Sequence, residues 1–157
     1  MRVEGELVEM ERRIAARPET VFRYFTDAQR YRLWQGVDAE LDPRPGGLFR
    51  VHMTGRTHVF ARGEFVEVQP PERLVFTWGW EKLTGLPEEM ETVPPGSSTV
   101  EITLTPDGDG TILRLRHNGL PSALASGFHT DGWTMSFERL VVLAEGGDLE
   151  TNPFENL

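Results

Sequence analysis

The sequence predicts an α+β fold in which a long C-terminal helix lies across a curved antiparallel sheet of about six to seven strands. Apolar residues alternate at period two through the middle of the chain, and a helical period replaces this pattern after residue 121. Two short helical segments also follow the first strand-like segment directly. A length of 157 residues suits one compact domain with a single core.

The N-terminal part of the chain is predicted to form one strand and two short helices. Val3–Ile14 places apolar residues among charged ones in imperfect alternation, which indicates a long strand. Pro18 suits the first turn of a helix, because proline lacks the N–H that this turn leaves unpaired. Thr26–Asp27 can cap a second short helix that ends near Leu33–Trp34.

A meander of strands separated by turn residues follows from residue 37 onward. The clearest alternation is that of four large residues, Leu74, Phe76, Trp78 and Trp80. Further strands are predicted over residues 49–53, 58–68, 100–104 and 113–117, with a hairpin turn over 105–110. Leu83–Ser98 contains three prolines and is predicted to be a long loop.

The last helix is indicated by a stripe of apolar residues at helical spacing. This stripe consists of Trp133, Phe137, Leu140, Val141 and Ala144. Gly146 and Gly147 are predicted to end the helix. We therefore assign one domain to residues 1–147 and an acidic C-terminal tail to residues 148–157.

Composition and charge exclude several classes of protein. The absence of cysteine removes disulfides, zinc–thiolate sites, iron–sulfur sites and thiol nucleophiles. A net charge of −9 argues against a nucleic-acid partner. No apolar run approaches the roughly 20 residues of a membrane span, and the first residues lack the apolar core of a secretion signal, so we expect a cytoplasmic protein. Basic residues concentrate in residues 1–62 and acidic ones in residues 63–157, an asymmetry that could steer a partner, allow a homodimer or be ordinary solvated surface.

Bulky side chains are predicted to face the last helix from the sheet and from the helix back toward it. Aromatic walls with a few inward polar groups are typical of a pocket for an apolar small molecule. The same pattern also suits an ordinary packed core, and alternation alone does not separate the two. The candidate cavity residues are Trp34, Phe49, Val51, Phe60, Phe76, Trp78, Trp80, Leu113, Leu115, His117, His129, Trp133 and Phe137.

The chain has four histidines, at positions 52, 58, 117 and 129. None has the spacing of a zinc motif, so we expect no metal site, and no motif indicates a cofactor. His117 and His129 could line one end of the cavity and orient a ligand or move a proton, or they could be two buried imidazoles with satisfied hydrogen bonds. Asp131 and Glu81 are the carboxylates expected nearest the mouth.

Several motifs in fixed order resemble the START-like (SRPBCC) superfamily, which has the helix-grip fold. Within it, the chain is most similar to the branch related to the C-terminal domain of the activator of heat-shock-protein-90 ATPase. The matching stretches are Ala16–Phe22, Asp27–Ala28 with Trp34, Pro45–Phe49, Gly63–Trp78, and Gly132–Trp133 with Leu140. The resemblance covers about residues 8–146 and implies a deep cavity between the curved sheet and the long helix.

Three functional hypotheses follow from the residues and the resemblance. The first is binding of a hydrophobic small molecule, lipid-like or aromatic and polyketide-like, without catalysis. The second is an enzyme of cyclase or hydrolase type that uses a cavity histidine as general base, since the superfamily includes polyketide cyclases. The third is a protein-interaction module related to chaperone ATPase activation.

Overall fold

The predicted α+β helix-grip architecture is confirmed by the computed structural model, which describes residues 7–35, 38–53, 59–81 and 85–149. Its strands are β1 (Leu7–Ile14), β2 (Asp38–Leu41), β3 (Leu48–Met53), β4 (Val59–Gln69), β5 (Arg73–Trp78), β6 (Ser98–Asp107) and β7 (Gly110–Asn118). Its helices are α1 (Pro18–Thr26), α2 (Ala28–Trp34), α3 (Glu88–Glu91) and α4 (Ala123–Ala144). The strands form one curved antiparallel sheet in the order β1-β7-β6-β5-β4-β3-β2.

The register of the sheet places large side chains in rows that face α4. Phe76 on β5 pairs with Val100 on β6, which pairs with His117 on β7, and all three are buried. Directly opposite residues share one face of a sheet, so such a row is a continuous wall. In the next row, Trp78 pairs with Ser98. These rows bring aromatic rings and one histidine under the middle of α4.

The two short helices begin where the sequence predicts. Pro18 occupies the first turn of α1, and Val21, Phe22 and Phe25 form its buried face. The Asp27 carboxylate accepts a hydrogen bond from the backbone N–H of Gln29, which caps α2. The helix ends at Trp34, whose indole N–H donates to the Tyr24 carbonyl at 2.8 Å.

Helix α4 is longer than its apolar stripe alone indicates. The Ser122 hydroxyl accepts from the N–H of Ala125 and caps the helix, so His129 lies well inside it. After Ala144 the chain turns at Gly146, whose φ of +92° is one that favours glycine. Within the described ranges, no helix combines the length and apolar character needed to cross a bilayer.

The segment predicted as one long loop contains a short helix. Residues 88–91 form α3, in which Met90 turns inward and is buried. Val93, just beyond this helix, is also buried. Trp80 lies outside β5 but forms an isolated bridge with Ala61 of β4. His58, residues 3–6 of the predicted first strand and residues 150–157 of the predicted tail lie outside the described residues.

Replacing Gly127 with alanine is expected to raise the free energy of unfolding by about 0.5–1 kcal/mol, because glycine in a helix interior loses more backbone entropy. Gly127 is exposed within α4, and an added Cβ would meet no described atom within 4 Å. Urea unfolding of the Gly127→Ala variant measures the change. A lower urea concentration at the unfolding midpoint, with an unchanged dependence of the free energy on urea, would contradict this stabilisation.

Candidate functional site

A cavity of about 390 Å³ lies between α4 and the sheet, at the level of Trp78. Helix α4 supplies one wall, β3, β4 and β5 supply the opposite one, and α3 and the end of α2 close the sides. Its lining residues are Gln35, Met53, Val59, Trp78, Trp80, Met90, Phe128, His129, Asp131, Gly132, Trp133, Met135 and Ser136. The volume falls at the lower end of the 300–1,000 Å³ typical of ligand pockets.

Among the described residues the lining is apolar apart from four side chains, those of Gln35, His129, Asp131 and Ser136. Three methionines contribute flexible walls that can repack around ligands of different shape. Gly132 leaves the α4 wall open, because a Cβ built there would meet no described atom within 4 Å. Asp131 and Met135 are exposed, so the cavity reaches the surface beside them.

Four of the candidate cavity residues line this space: Trp78, Trp80, His129 and Trp133. His117 lies behind them, fully buried and outside the lining. The packed core beyond the cavity holds Trp34, Phe49, Val51, Phe76, Leu113, Leu115 and Phe137, each 0–1% exposed. The inward face of the sheet is therefore divided into a part that forms a wall of the cavity and a part that belongs to the packed core.

The core half is filled by ring-on-ring contacts. Phe49 stacks on Phe76 with ring centroids 4.2 Å apart, and Phe65 contacts both rings edge-on. Trp34 approaches Phe137 at 6.2 Å from the helix side. Rings at these separations and angles have the offset and edge-to-face arrangements that aromatic quadrupoles favour, so this half is occupied by the protein's own side chains.

Phe60 lies on the other face of the sheet, although the sequence places it among the cavity residues. Its ring stacks on its cross-strand partner His52 at 4.3 Å, and the Arg50 guanidinium carbon lies 4.0 Å from the ring centroid. On β4 the inward positions are those of Val59 and Ala61, both buried. A strict period of two then directs Phe60 outward.

Two histidines and three tryptophans form a buried group at the inner end of the cavity, the Trp–His cluster, made up of Trp78, Trp80, His117, His129 and Trp133. The two imidazole rings lie 5.1 Å apart and almost perpendicular. The Trp78 ring packs 5.2 Å from that of Trp133 and 5.4 Å from that of Trp80. Its indole nitrogen is closed to solvent and has no acceptor among the described residues.

Hydrogen bonds determine the tautomer of His117. The Trp133 indole N–H donates to Nδ1 at 3.1 Å, so Nδ1 carries no proton. The Ser98 hydroxyl lies 2.8 Å from Nε2 and donates its own hydrogen to the Trp78 carbonyl. Nε2 must then hold a proton and donate it to the Ser98 oxygen. His117 is therefore a neutral imidazole protonated at Nε2.

His129 has the opposite tautomer. The Trp80 indole N–H donates to Nε2 at 3.1 Å, and Nδ1 donates to the Ala125 carbonyl at 2.8 Å. Both nitrogens of both histidines are thus engaged, and each unprotonated nitrogen accepts from a tryptophan.

The environment of the cluster opposes a positive charge. Burial lowers the pKa of His117 well below its ordinary value of 6.5, and the neighbouring His129 lowers it further. Burial also lowers the pKa of His129, although its hydrogen bond to Ala125 acts in the opposite direction. Both imidazoles are neutral at physiological pH.

Of the two carboxylates expected near the mouth, only Asp131 lines the cavity. Glu81 instead accepts two hydrogen bonds from the Arg50 guanidinium, at 2.7 and 3.2 Å. These hydrogen bonds lower the pKa of Glu81, with a smaller contribution from Arg62. Glu81 therefore belongs to a surface ion-pair group.

Residues 15–145 match the protein family described as Activator of Hsp90 ATPase homolog 1-like protein. The chain belongs to this family. The match also confirms the resemblance to the START-like superfamily and its branch, and every structural relative described below shares the fold. No curated protein matches the chain at a significant level.

Solved structures of AHSA1-like and related proteins align over most of the chain. The solution structure of an AHSA1-like protein from Rhizobium etli is 44% identical, with 94% of this chain and 87% of that chain covered and a TM-score of 0.70. A protein from Mesorhizobium loti is 28% identical, with coverage of 91% and 99% and a TM-score of 0.74. The Aha1 dimer from Colwellia psychrerythraea, at 14% identity, 90% and 97% coverage and a TM-score of 0.71, shows the shared fold alone.

Nine of the thirteen described lining residues of this AHSA1-like cavity are not among the candidate cavity residues. Val59 is the first residue of β4, Met90 lies in the segment predicted as a loop, and Gln35 follows the last residue of α2. Ser136 occupies the helical position three residues after Trp133, so extending the inward stripe of α4 to polar residues would have found it.

The polar side chains of the described lining are not grouped as metal ligands. Among the described residues, no three histidine, aspartate or glutamate side chains are grouped closely enough to bind a metal ion. His129 is saturated by Trp80 and Ala125, and Asp131 stands alone on its turn of α4.

Proposed function

We propose that this protein binds an apolar small molecule, aromatic or short-chain in character, in the cavity between the sheet and α4. The observation that carries the proposal is the cavity itself, about 390 Å³ with an almost entirely apolar lining. At about 30 Å³ per heavy atom, as for liquid water, it holds about a dozen heavy atoms. This size favours a small aromatic or single-chain molecule over a two-chain lipid.

The energetics also suit binding by burial. Transfer of apolar ligand surface out of water contributes about 25 cal/mol per Å², from which the losses of association are subtracted. Trp78, Trp80 and Trp133 offer large, rigid ring surfaces, and the methionines adapt to the ligand's outline.

The hydrogen bonds of the histidines favour binding over acid–base catalysis. A general base needs a free lone pair within reach of a substrate. In both His117 and His129 that lone pair accepts from a tryptophan N–H, and His117 does not line the cavity. Ser98 cannot be activated by His117 either, because Nε2 of that imidazole is a donor toward it.

Leucine at position 132 is expected to weaken binding of 2-isopropylnaphthalene at least about tenfold, equivalent to 1.4 kcal/mol. Gly132 lines the cavity and has open space at its Cβ, so the new side chain would occupy the ligand's volume. Titration calorimetry with purified protein measures the dissociation constant.

Gly127→Leu is the matched control. It introduces the same side chain on the same helix, at an exposed position outside the lining. Equal affinities in the Gly132→Leu and Gly127→Leu variants would show that the ligand binds elsewhere, and no measurable binding to the unmodified protein would contradict the proposed function.

A further inference from the structure

One end of the cavity carries a buried polar pair, Gln35 and Ser136. Gln35 follows α2 and Ser136 lies on α4, and both line the cavity while remaining at most 4% exposed. The Gln35 amide nitrogen donates to the Ser136 hydroxyl oxygen at 3.3 Å. The amide oxygen accepts a short hydrogen bond from the hydroxyl of Tyr31.

This pair has more hydrogens to donate than the protein uses. A glutamine amide carries two N–H hydrogens, and the described residues provide an acceptor for only one of them. Burial raises the pKa of Tyr31 well above its ordinary value, so its hydroxyl keeps its hydrogen as well. If the amide is turned over, Nε2 donates to the Tyr31 oxygen and Ser136 donates to Oε1, which still leaves one amide N–H of Gln35 unspent but moves the spare hydroxyl hydrogen to Tyr31, outside the described lining.

Of the other polar groups in the described lining, only the Trp78 indole N–H is also a buried donor without an acceptor, so it adds to the donor surplus. His129 has both nitrogens engaged. Asp131 is an acceptor and lies exposed at the mouth. The surplus of donors at Gln35 and Ser136 therefore calls for an acceptor on the ligand, since a buried donor without a partner costs about 1–3 kcal/mol.

The charge of the lining decides which kind of acceptor fits. Among the described residues that line the cavity there is no lysine or arginine, and the one charged side chain is the carboxylate of Asp131. A carboxylate buried without a cation pays a large desolvation cost. A carbonyl oxygen accepts the same two hydrogen bonds without that cost.

We propose that the ligand carries an uncharged carbonyl oxygen that accepts hydrogen bonds from Gln35 Nε2 and the Ser136 hydroxyl, while its apolar body lies against the tryptophans. This inference rests on the proposed function and adds the chemical class of the ligand. Gln35 and Ser136 are then the residues that determine specificity.

Three probes of matched size and shape test it: 2-acetylnaphthalene, 2-isopropylnaphthalene and 2-naphthoate. The ketone should bind about three- to tenfold more tightly than the hydrocarbon, which is the range of one net hydrogen bond, and at least about tenfold more tightly than the carboxylate. The measured quantity is the ratio of dissociation constants within one protein, which a general loss of stability does not move.

Ser136→Ala and Gln35→Met should each reduce the preference for the ketone over the hydrocarbon to about twofold or less, because each removes one donor. Ser126→Ala is the control: its hydroxyl is also buried on α4, but it lies outside the cavity lining. The control should keep the full preference.

The outcomes separate the two proposals. Binding of the hydrocarbon with no preference for the ketone, or a preference that survives both substitutions, would overturn the carbonyl assignment while the proposed function stands. Tightest binding of 2-naphthoate would overturn it in the same way. Failure of all three probes to bind would overturn the proposed function itself.

Discussion

Acidification is expected to destabilise this fold steeply below pH 6.5, the ordinary pKa of the two histidines in the Trp–His cluster. Above that pH neither the folded nor the unfolded chain protonates them, and stability is at its full value. Below pH 6.5, both histidines become protonated in the unfolded chain, whereas His117 and His129 remain neutral in the folded protein because their pKa values are lowered. The free energy of unfolding should then fall by up to about 1.4 kcal/mol per pH unit for each histidine.

The loss continues until the pH reaches the lowered pKa of each imidazole in the folded protein. Glu81 contributes in a separate window, because its lowered pKa matters only below its ordinary value of 4.5. Urea unfolding at a series of pH values between about 7.5 and 5 gives the slope.

His129→Gln is a suitable control for this slope. Its amide oxygen can accept from the Trp80 indole in place of Nε2, and it does not titrate. The variant should lose the part of the slope that His129 contributes. In the unmodified protein, the free energy of unfolding should fall by more than about 1 kcal/mol between pH 7.5 and 5. A value that stays constant over this range would contradict neutral, buried histidines.

The sequence was sufficient for most of the sheet, for α1, α2 and α4 and for the direction of most large side chains, since these depend on local periodicity. The inward direction of Phe76 and His117 and the inward stripe of α4 both follow from spacing alone, whereas the register that joins them in one row does not. The division of that inward face into wall and core does not. Phe49 and Trp78 both face inward, yet Phe49 is covered by neighbouring rings while Trp78 borders open space.

The difference between Phe49 in the core and Trp78 at the cavity depends on how far α1, α2 and α4 cover the sheet. Packing between segments that are distant in the sequence decides this coverage. For the same reason, the sequence does not indicate that Gln35 and Met90 line the cavity. Each lies at the end of a short element or within a connection, where no period exists to indicate a direction. Donor surplus at Gln35 becomes visible only once Tyr31 and Ser136 are placed beside it.

Replacing Trp133 with phenylalanine is expected to lower the free energy of unfolding at neutral pH by about 2–4 kcal/mol. Trp133 is 2% exposed, and its ring packs against Trp78 and Phe137. The smaller ring leaves a gap, and the loss of the indole N–H leaves Nδ1 of His117 as a buried acceptor without a partner. Both effects act on the folded state, and thermal or urea unfolding measures their sum.

A double-mutant cycle with His117→Leu isolates the hydrogen bond from the gap. If the Trp133 N–H and Nδ1 stabilise each other, removing both should cost less than the sum of the single losses, by about 1 kcal/mol or more. Additive losses would mean that the indole of Trp133 contributes packing alone and that its hydrogen bond to Nδ1 adds no stability.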